Sequence, residues 1–290
     1  MTDWPSSLSL RHASLTPDQL CDAASGTPLA VDVLSAGAAP SRIKQIRFAG
    51  GGAFDLMELN CHVRASGGLD HNSVAILVVT RSSEATICGA PLDDAVILTI
   101  PGGTEITASL KPGLCYATAV IPTRSWIDVQ AVATGGVTDK TAASPSVFRI
   151  AAGEAEAIRG LVEAVANSFA REDGEPVRIP ALFNEYLGKI AEACAEDREV
   201  RLDRSLRHRL RHAWLAQDFI RAHLREEIPI MRLCKEANIS RRQLEYAFRT
   251  AFDVSPHEFI QTVRLNESRR QLMTARRNER TVTQSRWRSG

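Results

Sequence analysis

The sequence lacks any apolar run long enough to cross a membrane, and its start lacks the layout of a secretion signal. The longest strongly apolar run is Val74–Val79, whereas a helix needs about 20 such residues to span a bilayer. Residues 1–5 read MTDWP, without the basic and then apolar segments of a signal peptide. We therefore expect a soluble, cytoplasmic protein with no membrane partner.

Paired cysteines are also missing. The six cysteines are scattered along the chain, and no two of them form a CxxC pair: Cys21, Cys61, Cys88, Cys115, Cys194 and Cys234. This spacing favours reduced thiols in a cytosolic protein over a disulfide framework or a zinc site.

Charge of both signs is present, but it is unevenly distributed. Residues 1–200 hold 15 Lys and Arg against 24 Asp and Glu, a net charge of −9, whereas residues 201–290 hold 20 against 10, a net charge of +10. A basic module attached to an acidic body is typical of proteins that bind nucleic acid. An Arg-rich, solvated helical surface would give the same numbers, so charge alone leaves both interpretations open.

The length of 290 residues predicts two domains, and β patterns dominate the first. After a weakly patterned, partly ordered arm at 1–44, apolar and polar residues alternate at 57–63, the period of a half-buried strand. Val74–Val79 has the continuous apolar character of a strand buried on both faces. Turn residues separate further short strands at 96–100, 105–110 and 116–121. This spacing predicts an antiparallel barrel or sandwich at 45–150.

Two amphipathic helices are predicted in the segment 151–200. Apolar residues recur at helical spacing at 158, 161, 162, 165 and 169, and again at 183, 186, 187, 190 and 194. Helices of this kind between two domains can pair two chains, or they can pack against the β domain. The two interpretations are compatible, and we expect a helical linker that takes part in a homodimer.

Three short helices are predicted in the basic C-terminal part. The first covers about 214–224, the second starts at Pro229, and the third follows Ser240, whose hydroxyl can accept a free backbone amide of the first turn. A tight turn at Asn238–Ile239 separates the second helix from the third. Two helices joined by a short turn match the helix-turn-helix plan, in which the second helix enters the major groove of DNA.

The third helix has one apolar and one polar face at 100° per residue. Leu244, Phe248 and Phe252 are spaced by four residues, so we expect them to share a buried face. The candidate DNA-binding residues lie on the remaining surface: Arg241, Arg242, Gln243, Glu245, Tyr246 and Arg249. Each alone would suit ordinary solvated surface, but the group on one face of this helix favours DNA binding.

The chemistry of these side chains suits a DNA groove. Arg242 can pair bidentately with guanine, Glu245 can accept from the cytosine amine, and Tyr246 can touch a thymine methyl or a phosphate. Arg249 and Arg241 are better placed for backbone phosphates.

A long helix is predicted next, from Ser255–Pro256 to about residue 273, and it carries Arg264, Arg269 and Arg270. Residues 228–273 resemble the AraC/XylS type of transcription regulator. The matching positions are Ile230, Leu233, Ala237, Ser240, Leu244, Phe248, Phe252, Ser255, Pro256, Phe259, Arg264, Leu265, Arg269 and Leu272. The resemblance implies that Arg242, Glu245 and Tyr246 occupy the base-reading positions of the first recognition helix.

The chain departs from the family pattern in three places. Asp253 stands where the family usually has glycine, but Asp tolerates a left-handed conformation. Ser268 stands where the family usually has the similarly small alanine. The family also carries a second helix-turn-helix unit. Residues 281–284 resemble the opening of that unit, but residues 285–290 after them have no apolar period. We expect that a frameshift or an early stop removed this second unit, which would weaken DNA binding and its specificity.

Residues 73–124 resemble the ligand-sensing domain of the same family, a cupin-like β-barrel. Enzymatic cupins hold a metal with closely spaced histidines and a glutamate, but His62 and His71 stand alone here. We therefore predict no metal, no cofactor and no catalytic site.

The sequence predicts a multidomain α+β protein: a cupin-like antiparallel β-barrel at 45–150, a helical linker at 151–200 and an all-α DNA-binding domain at 205–290. That domain holds a first helix-turn-helix unit at 214–253 and a connecting helix at 255–273. The predicted function is a dimeric transcription regulator that binds double-stranded DNA, responds to a small-molecule effector and acts on RNA polymerase. One rival is a truncated remnant that dimerises with or titrates intact relatives. The other is a cupin-type enzyme, which would need clustered His, Glu or Asp side chains.

Overall fold

Two structural units make up the chain, Met1–Leu202 and Asp203–Gly290, here called the first and the second unit. The computed structural model describes residues 8–17, 19–20, 29–35, 39–136, 144–168, 178–195, 199–200 and 204–277. The expected opening of a second helix-turn-helix at 281–284 lies outside the described residues.

The predicted antiparallel β domain is confirmed, and it consists of two sheets rather than one closed barrel. The larger sheet has, in spatial order, β1 (Leu8–Leu15), β3 (Ser41–Phe48), β4 (Ala53–Glu58), β11 (Cys115–Pro122), β6 (Ser73–Arg81), β9 (Val96–Pro101), β12 (Ser146–Arg149) and β13 (Glu199–Val200). The smaller sheet has β2 (Leu29–Ser35), β5 (His62–Gly68), β10 (Glu105–Leu110), β7 (Ala85–Ile87) and β8 (Ala90–Pro91).

Short connections determine which strands of the two sheets face each other. Each strand of the smaller sheet is joined to a strand of the larger one by a link of three to five residues: 36–40, 59–61, 82–84, 92–95 and 111–114. Such links place β2 opposite β3, β5 opposite β4, β10 opposite β11, β7 opposite β6 and β8 opposite β9. One hydrophobic cluster, which includes Leu77, Leu98, Val63 and Ile106, fills the space between the sheets.

Three helices cover the other face of the larger sheet. They are α1 (Thr123–Thr134), α2 (Ala152–Asn167) and α3 (Arg178–Ala195). Their apolar stripes join sheet residues such as Phe54 and Ile76 in a second cluster, where the Phe183 ring stacks 4.8 Å from the Phe48 ring. Lys44 crosses from β3 to donate to the carbonyl of Ala166 near the end of α2, at 3.0 Å. The packing of α2 and α3 against the β domain is therefore the interpretation that the structure supports.

Three features of the first unit differ from the sequence prediction. Within the segment 1–44, where the sequence predicts a partly ordered arm, the described residues include β1, β2 and the start of β3. The alternation at 57–63 spans the end of β4, a crossing link and the start of β5, and is not one strand. Helix α1 was not predicted, because a strand pattern precedes it and its mixed sequence TRSWIDVQAVAT gives only a short apolar stripe.

The second unit is all-helical in its described residues. It has α4 (Arg204–Ala222), α5 (Ile230–Glu236), α6 (Arg241–Phe252) and α7 (Pro256–Arg277). A third hydrophobic cluster holds these helices together, with Leu210, Ile220, Leu233, Phe248 and Phe259 among its members. Helix α4 begins about ten residues before the predicted start at 214, and the other three begin where they were predicted. Among the described helices, none is both long and apolar enough to cross a membrane.

Candidate nucleic-acid interface

Helix α6 starts at a capping box. The Ser240 side chain accepts from the backbone amide of Gln243 at 3.3 Å, and the Gln243 side chain accepts from the backbone amide of Ser240 at 2.9 Å. Two amides that no helical carbonyl can reach are thereby satisfied. Gln243 was predicted to face DNA, but in this structure its side chain fixes the start of the helix.

The turn before α6 is short and fixed from two sides. Asn238 takes the left-handed conformation with φ 51°, and the Ile239 amide donates to the Cys234 carbonyl at 3.0 Å. His212 of α4 places its Nδ1 atom 3.0 Å from the Ala237 carbonyl, where a protonated Nδ1 donates. This contact fixes the turn, and therefore the angle between α5 and α6, to the first helix of the unit.

The far end of α6 has a second left-handed residue. Asp253 has φ 57° and ψ 18°, and its amide donates to the Arg249 carbonyl at 3.0 Å. This is the conformation in which the family usually uses glycine. The expectation that Asp tolerates it is confirmed, so the substitution leaves the end of the helix intact.

The buried face of α6 is aromatic. Leu244, Phe248 and Phe252 are at most 1% exposed, as predicted from their spacing. The Phe248 ring meets the Phe252 ring edge-on at 5.0 Å, and both pack against Phe259 of α7 at 5.4 and 5.1 Å. This three-ring cluster anchors α6 and thereby determines which side chains face outward.

The outward face carries the predicted contact residues. Arg241, Arg242 and Arg249 are exposed, Tyr246 is 58% exposed, and Glu245 is half-buried. The structure thus brings together cationic, acceptor and aromatic groups on one side of a rigid helix.

Arg264 in α7 has a structural role that sequence reasoning missed. Its Nε donates to the Leu224 carbonyl at 3.1 Å, and its Nη2 donates to the Glu226 carbonyl. These carbonyls belong to the loop between α4 and α5. The match to the family pattern marked Arg264, but no local signal indicated that it binds this loop rather than DNA.

A second arginine holds the same loop. The Arg232 guanidinium lies 4.8 Å from the centroid of the Phe219 ring and donates to the Glu226 carboxylate at 2.7 Å. This hydrogen bond lowers the pKa of Glu226 below its ordinary value. Arg232 and Arg264 therefore fix the start of α5 from two directions.

The start of α7 repeats the arrangement seen at α6. The Ser255 amide donates to the Glu258 carboxylate at 2.7 Å, and the Glu258 amide donates to the Ser255 hydroxyl at 3.2 Å. These hydrogen bonds lower the pKa of Glu258, the backbone contact contributing most. Helices α6 and α7 thus each begin after a capping serine that can be recognised from the local sequence.

The two histidines considered for a metal in the β domain lie apart. His62 is buried and its Nε2 is 3.2 Å from the Ser109 hydroxyl, whereas His71 is exposed beside Gly103. In the part of the chain that the structure describes, no three His, Cys, Asp or Glu side chains group as metal ligands would.

A family comparison identifies the C-terminal segment. Residues 233–290 match a family model described as a helix-turn-helix domain. The match covers the second half of α5 and all of α6 and α7, the elements in which the AraC/XylS pattern was found. It confirms the predicted resemblance for this segment of the chain.

Comparisons over the whole chain are less specific. The AraC-like transcriptional activator CuxR is 12% identical, with 97% of this chain and 99% of that chain covered and a TM-score of 0.46. Fatty-acid-bound ToxT from Vibrio cholerae is 7% identical, with 100% and 88% covered and a TM-score of 0.29. At these TM-scores neither likeness establishes a shared fold. A comparison with curated protein sequences finds no match.

Proposed function

We propose that the protein is a sequence-specific DNA-binding transcription regulator of the AraC/XylS type, a proposal supported by the match of residues 233–290 to a helix-turn-helix family model. The observation that carries the proposal is the outward face of α6. It presents Arg242, Glu245 and Tyr246 on a helix whose opposite face is fixed by three packed rings.

The proposed contacts of α6 with DNA are of two kinds: some read the bases, and others bind phosphates and position the helix. Arg242 lies in the first turn of α6, the part that enters the major groove in helix-turn-helix proteins, and its fork of donors matches guanine O6 and N7. Glu245 and Tyr246 read the neighbouring bases. Arg241 and Arg249 bind phosphates, which fixes the register of the helix without reading sequence. Gln243 acts through the capping box and only positions α6.

The first unit supplies the regulatory part of the proposal. We assign to it the binding of a small-molecule effector, and its two facing antiparallel sheets support the proposal that it is a cupin-like sensor. The regulator would act in the cytoplasm as a homodimer and recruit or block RNA polymerase. The apolar stripes of α2 and α3 are buried against the larger sheet, so two chains would pair through other surfaces of these helices or of the β domain.

Fluorescence anisotropy with the purified full chain tests the proposal. The DNA is the region upstream of the protein's own gene, measured with competitor DNA at several salt concentrations. We compare Arg242→Ala and Arg249→Ala with the control Arg124→Ala, an exposed arginine of α1 in the first unit. Arg242→Ala should weaken specific binding by about 1–3 kcal/mol and relax the sequence preference.

The phosphate residue should behave differently. Arg249→Ala should weaken binding to all sequences alike and reduce the salt slope by about one unit, while Arg124→Ala should change nothing. Weak binding that is indifferent to sequence and to Arg242 would contradict the proposal. Such a result would favour the rival in which the protein dimerises with or titrates intact relatives.

A further inference from the structure

His212 supplies a hydrogen-bond donor to the turn between α5 and α6. Ala237 ends α5, and the last carbonyls of a helix have no partner within the helix itself. Ala237 is only 2% exposed, so water has little access to its carbonyl. The Nδ1 atom of His212 lies 3.0 Å from that carbonyl oxygen. A side chain of α4 therefore takes the place that water fills at an exposed helix end.

This contact determines where hydrogen sits on the His212 ring. A carbonyl oxygen can only accept, so Nδ1 must carry a hydrogen. A neutral imidazole carries hydrogen on one of its two nitrogens, and the contact selects the Nδ1–H form. An imidazolium carries hydrogen on both nitrogens and keeps the same bond. The donor is thus present in both protonation states of the ring.

The helix that carries His212 is fixed to the core of the second unit. Ala213 and Ala216 of α4 are fully buried. They belong to the hydrophobic cluster that also contains Phe248 of α6, and α4 packs against both α5 and α6. The hydrogen bond from His212 consequently joins the turn to the same core that anchors α6.

Arg242 is the side chain of α6 that depends most on the position of this turn. It lies five residues after Ala237, in the first turn of the helix. Arg249 lies about two helical turns further along, next to the buried Phe248 ring. Without a fixed turn, α6 can pivot about its ring-packed part, and the displacement is largest near its start. Base reading needs exact geometry, whereas phosphate contacts carry no sequence information, so a pivot lowers sequence discrimination before it lowers general affinity.

We propose that His212 is a positioning residue for sequence recognition by α6. Its Nδ1–H bond to the Ala237 carbonyl holds the turn at the angle that brings Arg242 to the base edges. The inference rests on the proposed function, because it concerns how the reading helix of that function is held. It adds a residue of α4 on which the discrimination between DNA sequences depends.

Two variants of similar shape separate the donor from the packing of the side chain. His212→Asn places an amide on Cγ, the atom to which Nδ1 is attached in histidine, and so keeps a donor. His212→Leu has the same branching at Cγ but no donor. Leu215→Asn, at an exposed position of α4, is the control for the lower helix propensity of asparagine.

Fluorescence anisotropy with the full chain measures binding to the upstream DNA and to a duplex of equal length and shuffled sequence. In His212→Leu the ratio of the two affinities should fall about fivefold or more, the loss expected for one base contact, while the affinity for the shuffled duplex stays nearly unchanged. His212→Asn should keep most of the wild-type ratio, and Leu215→Asn all of it. Circular dichroism confirms folding of each variant.

Three results of these titrations would overturn the proposal. They are an unchanged ratio in His212→Leu, an equal loss on both duplexes in that variant, and a loss in His212→Asn as large as in His212→Leu.

A double variant tests whether His212 acts through Arg242. Because both residues serve one base contact, their losses should overlap. His212→Leu should therefore lower the affinity ratio less in an Arg242→Ala background than in the wild type. A purely structural role of His212 gives losses that multiply, and that result would also overturn the proposal.

A measurement without DNA tests the contact itself. Nitrogen NMR of the imidazole rings, with the His212 signals identified by their absence from His212→Asn, should show hydrogen on Nδ1. A neutral ring with hydrogen only on Nε2 would contradict the contact. A wild-type chain that reads no sequence removes the proposed function and this inference with it, whereas a chain that reads sequence but is indifferent to His212→Leu removes this inference alone.

Discussion

The two units of the molecule differ in how far apart in sequence the residues lie that determine their structure. In the second unit, α6 and α7 each begin at a serine whose partner is three residues away, Gln243 or Glu258. In the first unit, β1 pairs with β3 and β2 pairs with β5, and the paired residues are 26 to 40 positions apart in the chain. Local contacts can be predicted from a short window of sequence, whereas sheet pairing depends on segments that are distant in sequence.

The largest effect should come from removing one ring from each unit. Phe248 and Phe183 are both fully buried, but in separate hydrophobic clusters. Each Phe→Ala change should cost about 3–5 kcal/mol. We expect Phe248→Ala to lower the melting transition of the second unit and Phe183→Ala that of the first, measured by calorimetry with limited proteolysis to identify the unfolded unit. Equal shifts of one shared transition in both variants would show that the units do not unfold separately.

A smaller loss is expected at the capping boxes. Ser240→Ala removes the acceptor for the Gln243 amide, and caps of this kind contribute about 1 kcal/mol. Chemical denaturation should show that loss in the second unit, and DNA affinity should fall because α6 is less well fixed. Ser9→Ala on the exposed edge strand β1 is the control. An effect of Ser240→Ala no larger than that of Ser9→Ala would show that the box is not needed.

One substitution in the first unit should raise the free energy of unfolding instead of lowering it. The Tyr186 hydroxyl is buried between the larger sheet and α3, and within the described residues it has no hydrogen-bond partner. Tyr186→Phe removes a desolvated polar group and keeps the ring, so it should raise the free energy of unfolding by up to about 1 kcal/mol. A destabilised Tyr186→Phe protein would mean that the hydroxyl is satisfied, for example by a buried water.

The smallest effect should depend on pH. The folded pKa of Glu258 lies below its ordinary value, so the native state binds fewer protons and stability rises with pH. The stabilisation is present above the ordinary pKa of about 4.3 and is lost as pH falls through the folded pKa. Glu258→Gln should therefore unfold more easily than the wild type at pH 7 but not at pH 3, in parallel denaturant titrations. A difference that stays constant with pH would exclude this charge as its cause.

Elements of the fold with a strong local sequence signal were predicted, and elements held in place by distant contacts were missed. The continuous apolar run Val74–Val79 gave β6, and the strand patterns at 96–100 and 105–110 gave β9 and β10. The alternation at 57–63 did not mark a single strand, because the same period of two continues from β4 through the link 59–61 into β5. Strand β1 was missed because its sequence LSLRHASL contains no β-branched residue, and pairing with β3 holds it in place.

For the candidate site, the sequence predicted which side chains are exposed but not which groups each side chain contacts. Helical spacing alone placed Phe248 inside and Tyr246 outside, as the structure has them. The spacing of Ser240 and Gln243 is the local signal of a capping box, but the interpretation of the polar face did not use it. No local signal indicated that Arg264 binds carbonyls of the loop at 224–226, because that role depends on which acceptors lie nearest in three dimensions.

The left-handed residues before and after α6 affect the unfolded chain as well as the folded one. Asn238 and Asp253 occupy left-handed positions that glycine accommodates most easily, but glycine also has more freedom in the unfolded chain. Replacing either residue with glycine should therefore relieve backbone strain in the folded state and enlarge the unfolded ensemble, two effects on the free energy of unfolding that oppose each other.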